Sequence, residues 1–237
     1  MTRTIRLFID FDGTITRDDV GDVLFQTFGA FEPIHSELLA GKHTVASYYR
    51  HATKLLRNDA TPETIREFAL RREVDPYVVS LFTWCEANGV DITVVSDGFD
   101  VYIEPILSLI GYGHLRRYSN ALLWHEGTWE PSFPGASESC SCFCASCKRN
   151  VLLTLSGPDD VIIYVGDGRS DTCAAEHADI VFAKGTLAKH CETHGVAHHH
   201  FHTMFQVQQI LERRLHDDDL RPRKQAERLR QRAIQGE

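Results

Sequence analysis

Short apolar runs that stop at polar tips alternate along this chain with stretches whose apolar positions recur every three or four residues. Residues 5–9 run directly into Asp10-Phe11-Asp12-Gly13-Thr14-Ile15-Thr16. Their β-branched and aromatic content, closed by a glycine turn, predicts a buried strand. Residues 91–98 predict a second strand with the tip Ser96-Asp97-Gly98. Residues 161–165 predict a third, finishing in Gly166-Asp167-Gly168-Arg169-Ser170-Asp171, and residues 179–182 a fourth. A last short strand is expected near 198–201.

Between the first two strands the pattern is helical. Asp18-Asp19 opens a stretch with Val20, Val23, Leu24 and Phe28 on one face, and residues 33–39 form a second candidate stopped by Gly41. Val45, Tyr48, Tyr49, Ala52, Leu55 and Leu56 mark a third. Thr61-Pro62-Glu63 carries an N-cap, an N1 proline and an early acid, with Ile65, Phe68 and Ala69 behind them. Asp75-Pro76 repeats that signal for a helix through Cys85, ending at Gly89. Further helices are expected over 101–110, with Pro105 in the first turn or kinking it, over 148–155, from Ala174, and over 204–215. Leu122-Leu123-Trp124-His125-Glu126-Gly127-Thr128-Trp129 predicts a hairpin turning at Glu126-Gly127.

Strand–helix alternation argues for an α/β fold, a mostly parallel sheet with helices on both faces. The expected division is a core of residues 1–16 and 75–215 with a hairpin insertion near 119–134, a helical insertion over 17–74, and a tail over 216–237. That tail is rich in Asp, Arg, Gln and Glu, and is expected to be a solvated helix or disordered.

Composition narrows the function. The 237 residues are 43% hydrophobic and 24% charged, which suits a sizeable core. A net charge of −8 argues against a general nucleic-acid binder. No apolar run reaches membrane-spanning length, and the chain enters its first strand at once, so neither a membrane span nor a signal peptide is expected. With seven cysteines, an odd number, reduced thiols in a cytoplasmic protein are expected. The oligomeric state, a homodimer included, stays open.

In an open α/β sheet the ligand crevice lies beyond the carboxyl ends of the strands, where Asp10 and Asp12 fall. Two carboxylates there repel and need a cation or a shared proton. The plainer alternative is a strand ending in a solvated turn, with either Asp capping a helix. Ser96, Lys148, Asp167 and Asp171 each have a similar plain alternative as a turn, surface or cap residue. All fall, in order, at predicted strand tips or helix starts, which coincidence explains poorly.

This order resembles the haloacid dehalogenase superfamily of aspartate-dependent phosphohydrolases, over nearly the whole chain up to about residue 215. Asp10-Phe11-Asp12-Gly13-Thr14 resembles its first motif, Ser96 its second, Lys148 its third, and Gly166-Asp167 with Asp171 its fourth. The helical insertion is similar to the small cap of the phosphoserine phosphatase branch. Val95-Ser96-Asp97-Gly98-Phe99, Ile103-Glu104-Pro105-Ile106-Leu107 and Cys144-Ala145-Ser146-Cys147-Lys148 look most like the methionine-salvage hydroxy-keto-methylthiopentenyl phosphate phosphatases, and phosphocholine, phosphoethanolamine and pyridoxal-phosphate phosphatases share much of that pattern.

The resemblance implies a Rossmann-like three-layer α/β/α sandwich with a helical cap after the first strand, and hydrolysis of a small phosphorylated metabolite. Asp10 would be the nucleophile that becomes a phosphoaspartate, and Asp12 the general acid and base. Ser96, Asp97, Gly98 and Lys148 would bind the substrate phosphate, with backbone N–H groups near Phe11 and Gly98 as added donors. Mg²⁺ would be held by Asp10, Asp167 and the backbone carbonyl of Asp12, with Asp171 supporting directly or through water. Thr14 would order the loop. Phosphotransfer to another alcohol, and a non-catalytic phosphate- or partner-binding module, are the alternatives.

Cys140, Cys142, Cys144 and Cys147 precede Lys148. Cys144-x-x-Cys147 has knuckle spacing but lacks the second pair of a zinc ribbon, so packed thiols are expected, with zinc and redox roles as alternatives. His198, His199, His200 and His202 would alternate faces on a rim strand and so not share one ion. Phe25, Phe28, Tyr48 and Tyr49 are expected to pack rather than to line a pocket.

Overall fold

A computed structural model describes residues 4–136 and 143–235. Strand β1 (Ile5–Ile9) carries Leu7, Phe8 and Ile9, all buried. The chain then turns through Phe11–Ile15 into α1 (Val20–Phe28), whose N-cap Asp19 accepts from Asp22 N at 2.8 Å. Helices α2 (Ile34–Leu39), α3 (Val45–Ala52) and α4 (Pro62–Ala69) follow. Thr61 and Thr64 form a capping box in front of α4, as the Thr-Pro-Glu signal requires.

Helix α5 (Val78–Ala87) begins later than Asp75-Pro76 suggests. Asp75 does not cap it. Its carboxylate accepts from Tyr77 N at 2.9 Å and from Met204 N at 3.1 Å, tying two distant helix starts together. Strand β2 (Val90–Phe99) leads into α6 (Asp100–Leu109), which holds Pro105 at its sixth position, well inside rather than in the first turn. Strands β3 (Arg116–His125) and β4 (Thr128–Ser132) turn at Glu126-Gly127, where φ is +48° and +89°.

The hairpin is not a separate insertion. The first residues of β3 pair in parallel with β2, from Thr93↔Arg116 to Val95↔Tyr118, so β3 belongs to the central sheet before it turns back with β4. Its opening residues, Arg116-Arg117-Tyr118-Ser119-Asn120, have no apolar alternation, and only the neighbouring strand defines them.

Helix α7 (Lys148–Leu155), β5 (Val161–Gly166), α8 (Thr172–His177), β6 (Ile180–Ala183), α9 (Gly185–His194), β7 (His199–His200) and α10 (Met204–His216) complete the alternation. The sheet order is β4-β3-β2-β1-β5-β6-β7, with every neighbour pair parallel except β3 and β4. Leu7, Ile9, Ile163 and Val165 face α5, α6 and α10, while Phe8, Ile162 and Tyr164 face α7, α8 and α9. A sheet covered on both faces explains why these strands read as continuous apolar runs. No helix of the described residues is long and apolar enough to cross a membrane.

The polar tail departs from expectation. Its helix α11 (Lys224–Gln235) packs against α8 with Ala226 buried. The Arg223 guanidinium donates to the carbonyls of Ala175, Glu176 and Ala178 at 2.8–3.1 Å, closing the C-terminal end of α8. Arg230 Nη1 donates to His177 O at 2.7 Å and to the fully buried Asp179 at 3.0 Å. Apolar periodicity misses this face because arginines make it. Arg230→Met leaves Asp179 its backbone donors, Ile162 N and Arg223 N, and the more distant Arg223 charge, but removes the guanidinium in contact with it. The expected cost is about 3 kcal/mol. In a chain this long, that lowers the melting temperature by roughly 6–12 °C by calorimetry, and an unchanged value would mean that the Arg230–Asp179 contact contributes no stability.

Candidate active site

The register of the sheet builds the site. Ile9 pairs with Val94 on one side and Val165 on the other, so Asp10, the β2 tip and the β5 tip emerge at one carboxyl edge. Asp10 N still donates to Val165 O at 2.9 Å, which fixes the first carboxylate against the sheet. Helices α1, α2 and α3 wall the opposite side of a cavity of about 300 Å³ over that edge.

Asp10, Asp167 and Asp171 come together there, each offering an oxygen within 4.8 Å of the others. Lys148, the first residue of α7 and 2% exposed, donates to Asp10 Oδ1 and Asp171 Oδ1 at 2.6 Å each. Asp171 Oδ1 also accepts from Tyr164 OH at 2.6 Å, and its Oδ2 from the N–H groups of Asp167 and Gly168 at 3.0 and 2.8 Å. Thus Asp171 spends its lone pairs on bracing the lysine and the loop. Asp167 Oδ1 accepts from Thr14 Oγ1 at 2.9 Å, so Thr14 orders this loop. Gly13 has φ +69°, and a Cβ there would lie 2.7 Å from Asp167 Oδ2, which accounts for glycine in the first motif.

Lys148 in contact, with Lys184 acting on Asp10 and Asp167 from further off, does not neutralise the buried Asp10 and Asp171 together with the half-buried Asp167. Burial, then the Asp171 charge, push Asp10 well above the ordinary carboxyl range, and the same two causes raise Asp167. Burial alone would lower Lys148, but Asp10 and Asp171 outweigh it and hold the lysine above its usual value. Asp10 Oδ2 and Asp167 Oδ2 carry no hydrogen bond among the described residues. Hard, unpaired oxygens beside excess negative charge fit a small divalent cation.

Asp12 lies apart from that group. Its Oδ1 accepts from Val20 N at 3.0 Å, and its Oδ2 from Tyr102 OH at 3.0 Å and Ser96 Oγ at 3.2 Å. Its carboxylate is therefore no member of the metal cluster, and only its backbone carbonyl is left for that part. Burial, with the Asp19 charge adding to it, pushes Asp12 up to about 7.

The β2 tip serves the site in three ways. Ser96 Oγ donates to Asp12 and accepts from Gly98 N at 2.9 Å. A Cβ on Gly98 would overlap Tyr102 OH and Asp12 Oδ2, so the close approach itself requires glycine. Asp97 differs from the expected phosphate contact. Its Oδ1 accepts from Ala145 N and Ser146 N at 2.7 Å each, bracing the loop that leads into Lys148. What Asp97 can offer an anion is confined to its backbone.

Tyr102 and Tyr164, which hold Asp12 and Asp171, escape sequence reasoning. Each sits inside an apolar run, and a hydroxyl directed at the strand tip gives no periodic signal. Tyr48 and Tyr49 line the cavity, contrary to the expectation that they only pack, while Phe25 is buried and Phe28 packs on Phe68 at 5.6 Å. Asp19 and Asp22 join them on the wall. Cys140 and Cys142 lie outside the described residues. Cys173 is disulfide-bonded, so the expectation of uniformly reduced thiols fails there. Among the described residues the histidines near β7 form no cluster able to hold a metal.

Comparison with known proteins agrees with this geometry. The haloacid dehalogenase-like hydrolase family model matches residues 7–176. The chain is 30% identical over 208 residues to a 2-hydroxy-3-keto-5-methylthiopentenyl-1-phosphate phosphatase of Exiguobacterium sibiricum, covering 86% of this chain and 94% of that one. It is also 30% identical over 220 residues to the protein of the same name in Geobacillus kaustophilus, covering 90% and 98%. Among solved structures, a phosphoserine phosphatase with a phospho-aspartyl intermediate analogue superposes with a TM-score of 0.62 at 21% identity, covering 80% of this chain and 91% of that one. The phosphoserine phosphatase of T. onnurineus gives 0.64 at 16% identity, covering 88% and 94%. A strand tip carrying two carboxylates, a buried lysine and an acidic loop in this order, carried by this sheet and matched over most of the chain's length, make it a member of the haloacid dehalogenase-like hydrolase family.

Proposed function

We propose that the chain is a Mg²⁺-dependent phosphatase that hydrolyses a small phosphomonoester of the 2-hydroxy-3-keto-5-methylthiopentenyl-1-phosphate type. The observation that carries this reading is the pairing of Asp10, whose Oδ2 is open to the cavity region beside Lys148, with a separately held, protonatable Asp12. The relatives' names supply the substrate.

Asp10 attacks phosphorus through a carboxylate oxygen while the P–O bond to the alcohol breaks, giving a phosphoaspartate. Asp12 gives its proton to the departing alkoxide oxygen. The Asp12 carboxylate then takes a proton from water as that water attacks phosphorus, which releases phosphate and restores Asp10. Lys148 lies where it can offset charge on the non-transferred oxygens, and Tyr102 and Ser96 hold Asp12 in place. Mg²⁺, for which Asp10, Asp167 and the Asp12 backbone carbonyl are the donors, supplies charge neutralisation between the anionic nucleophile and the dianionic ester.

The test is phosphate release from 2-hydroxy-3-keto-5-methylthiopentenyl-1-phosphate beside phosphoserine and phosphocholine, with Mg²⁺ and with EDTA. Release from the first that EDTA abolishes is expected. Release that persists in EDTA, or is faster from either of the others, counts against the reading.

Proton donation also sets a pH dependence. Because burial raises Asp12 to about 7, it is mostly protonated at pH 6 and loses its proton above pH 7. For an alkyl phosphate, kcat/KM is expected to fall about tenfold per pH unit on the alkaline side. With p-nitrophenyl phosphate, whose leaving group needs no proton, that limb flattens. Identical alkaline limbs for the two esters would remove Asp12 from the proton-donor role.

A further inference from the structure

The wall facing Asp10 and Asp12 contains polar groups that the phosphate chemistry does not use. Tyr48 is 2% exposed, yet its hydroxyl has no hydrogen-bond partner, and the same holds for the buried Nδ1 of His35. That nitrogen stands 3.6 Å from Asp22 Oδ1, too far for a hydrogen bond. Tyr49 is half-buried, and its hydroxyl has no hydrogen-bond partner among the described residues. Its ring is held edge-on against Phe99 at 4.7 Å and tilted against Tyr48 at 5.4 Å. Tyr49 lines the same cavity as Asp12, Asp19 and Asp97. Beyond these groups the wall turns apolar with the buried Leu38 and Val45.

Buried polar groups are nearly always paired, because an orphan costs about 1–3 kcal/mol. A wall that keeps two such groups, Tyr48 OH and His35 Nδ1, on one side of a cavity is built for a ligand that pairs them. We propose that Tyr48 and Tyr49 are specificity-determining residues that hydrogen-bond adjacent oxygens of the substrate's alcohol portion, while Leu38 and Val45 receive its short apolar end. The inference rests on the phosphatase reading above. The wall offers donors (the two phenols) as well as an acceptor (Asp22), so a neighbouring hydroxyl and carbonyl satisfy both kinds. A quaternary ammonium group would use the acids and the aromatic ring faces but would leave both phenol hydroxyls unpaired. A wall made to bond oxygen discriminates against an alcohol that lacks it, since the wall's groups are then left unpaired.

The experiment compares the wild type with Tyr49→Phe and Tyr48→Phe, which keep the ring packing. Three esters are used: the 2-hydroxy-3-keto-5-methylthiopentenyl phosphate, n-pentyl phosphate and p-nitrophenyl phosphate. For Tyr49→Phe, kcat/KM on the hydroxy-keto ester is expected to fall about tenfold, the worth of one neutral hydrogen bond. On the other two esters it should change less than threefold. Tyr48→Phe should move in the same direction, mainly through KM. Equal losses on all three esters would assign the tyrosines a structural role and overturn the proposal. So would no loss on any, or a wild type that prefers phosphocholine and is indifferent to both variants. Loss of p-nitrophenyl phosphate turnover in Asp10→Asn shows separately that the phosphatase reading holds. A folded wild type inactive on every ester would sink that reading, and this inference with it.

Discussion

Asp10→Asn is expected to lower turnover roughly 10⁴–10⁶-fold, the scale on which losing a nucleophile removes catalysis. The amide keeps the size of the carboxylate, and its oxygen can still accept from Lys148 Nζ, which retains Asp171 as its second partner. The fold should therefore persist. With one carboxylate fewer beside Asp167 and Asp171, the metal-free variant should melt no lower than the wild type, because charge repulsion and burial already push Asp10 upward. Single-turnover phosphate release, with substrate binding measured in parallel, separates chemistry from affinity. Binding kept and release lost is the expected pattern. Residual activity within tenfold of the wild type would mean that Asp10 forms no bond to phosphorus.

What could be read from the sequence follows from what leaves a periodic trace. Residues 5–9 and 161–165 are apolar throughout because helices cover both sheet faces, and their abrupt polar ends mark the crevice. Asp10, Asp12, Lys148, Asp167 and Asp171 were therefore legible as strand-tip and helix-start residues before any coordinates. Other elements were not. The first half of β3 is polar and exists because β2 pairs with it. Helix α11 buries arginines against α8 and Asp179, a face that hydropathy scores as solvent. Asp75 and Asp97 look like local cap and motif residues, but each also spends an oxygen on backbone groups more than 45 residues away. Tyr48 and Tyr49 fall on a helical apolar pattern, and nothing in that pattern reveals that both also line a cavity.

Lys148→Met should lower kcat/KM by roughly 10²–10³-fold, the range for removing one preorganised charge-stabilising donor. The substitution keeps most of the buried stem and deletes the ammonium that bridges Asp10 and Asp171. Two further readouts follow from the same charge count. Without Lys148 the carboxylate cluster loses the cation in contact with it and keeps the more distant Lys184, so the metal-free variant should melt lower than the wild type at pH 8. Mg²⁺ should then bind more tightly, because it no longer competes with a fixed positive charge, and an isothermal titration should show the dissociation constant falling. Arg is not expected to rescue activity. A forked guanidinium does not fit a 2% exposed position that holds two 2.6 Å contacts on a single nitrogen. Should Lys148→Met turn over within tenfold of the wild type while still melting lower, the lysine would be a counter-ion for the folded acids and not a ligand of the phosphate. Tighter Mg²⁺ binding with lost turnover gives the opposite answer: metal charge alone does not replace an ammonium placed against the non-transferred oxygens.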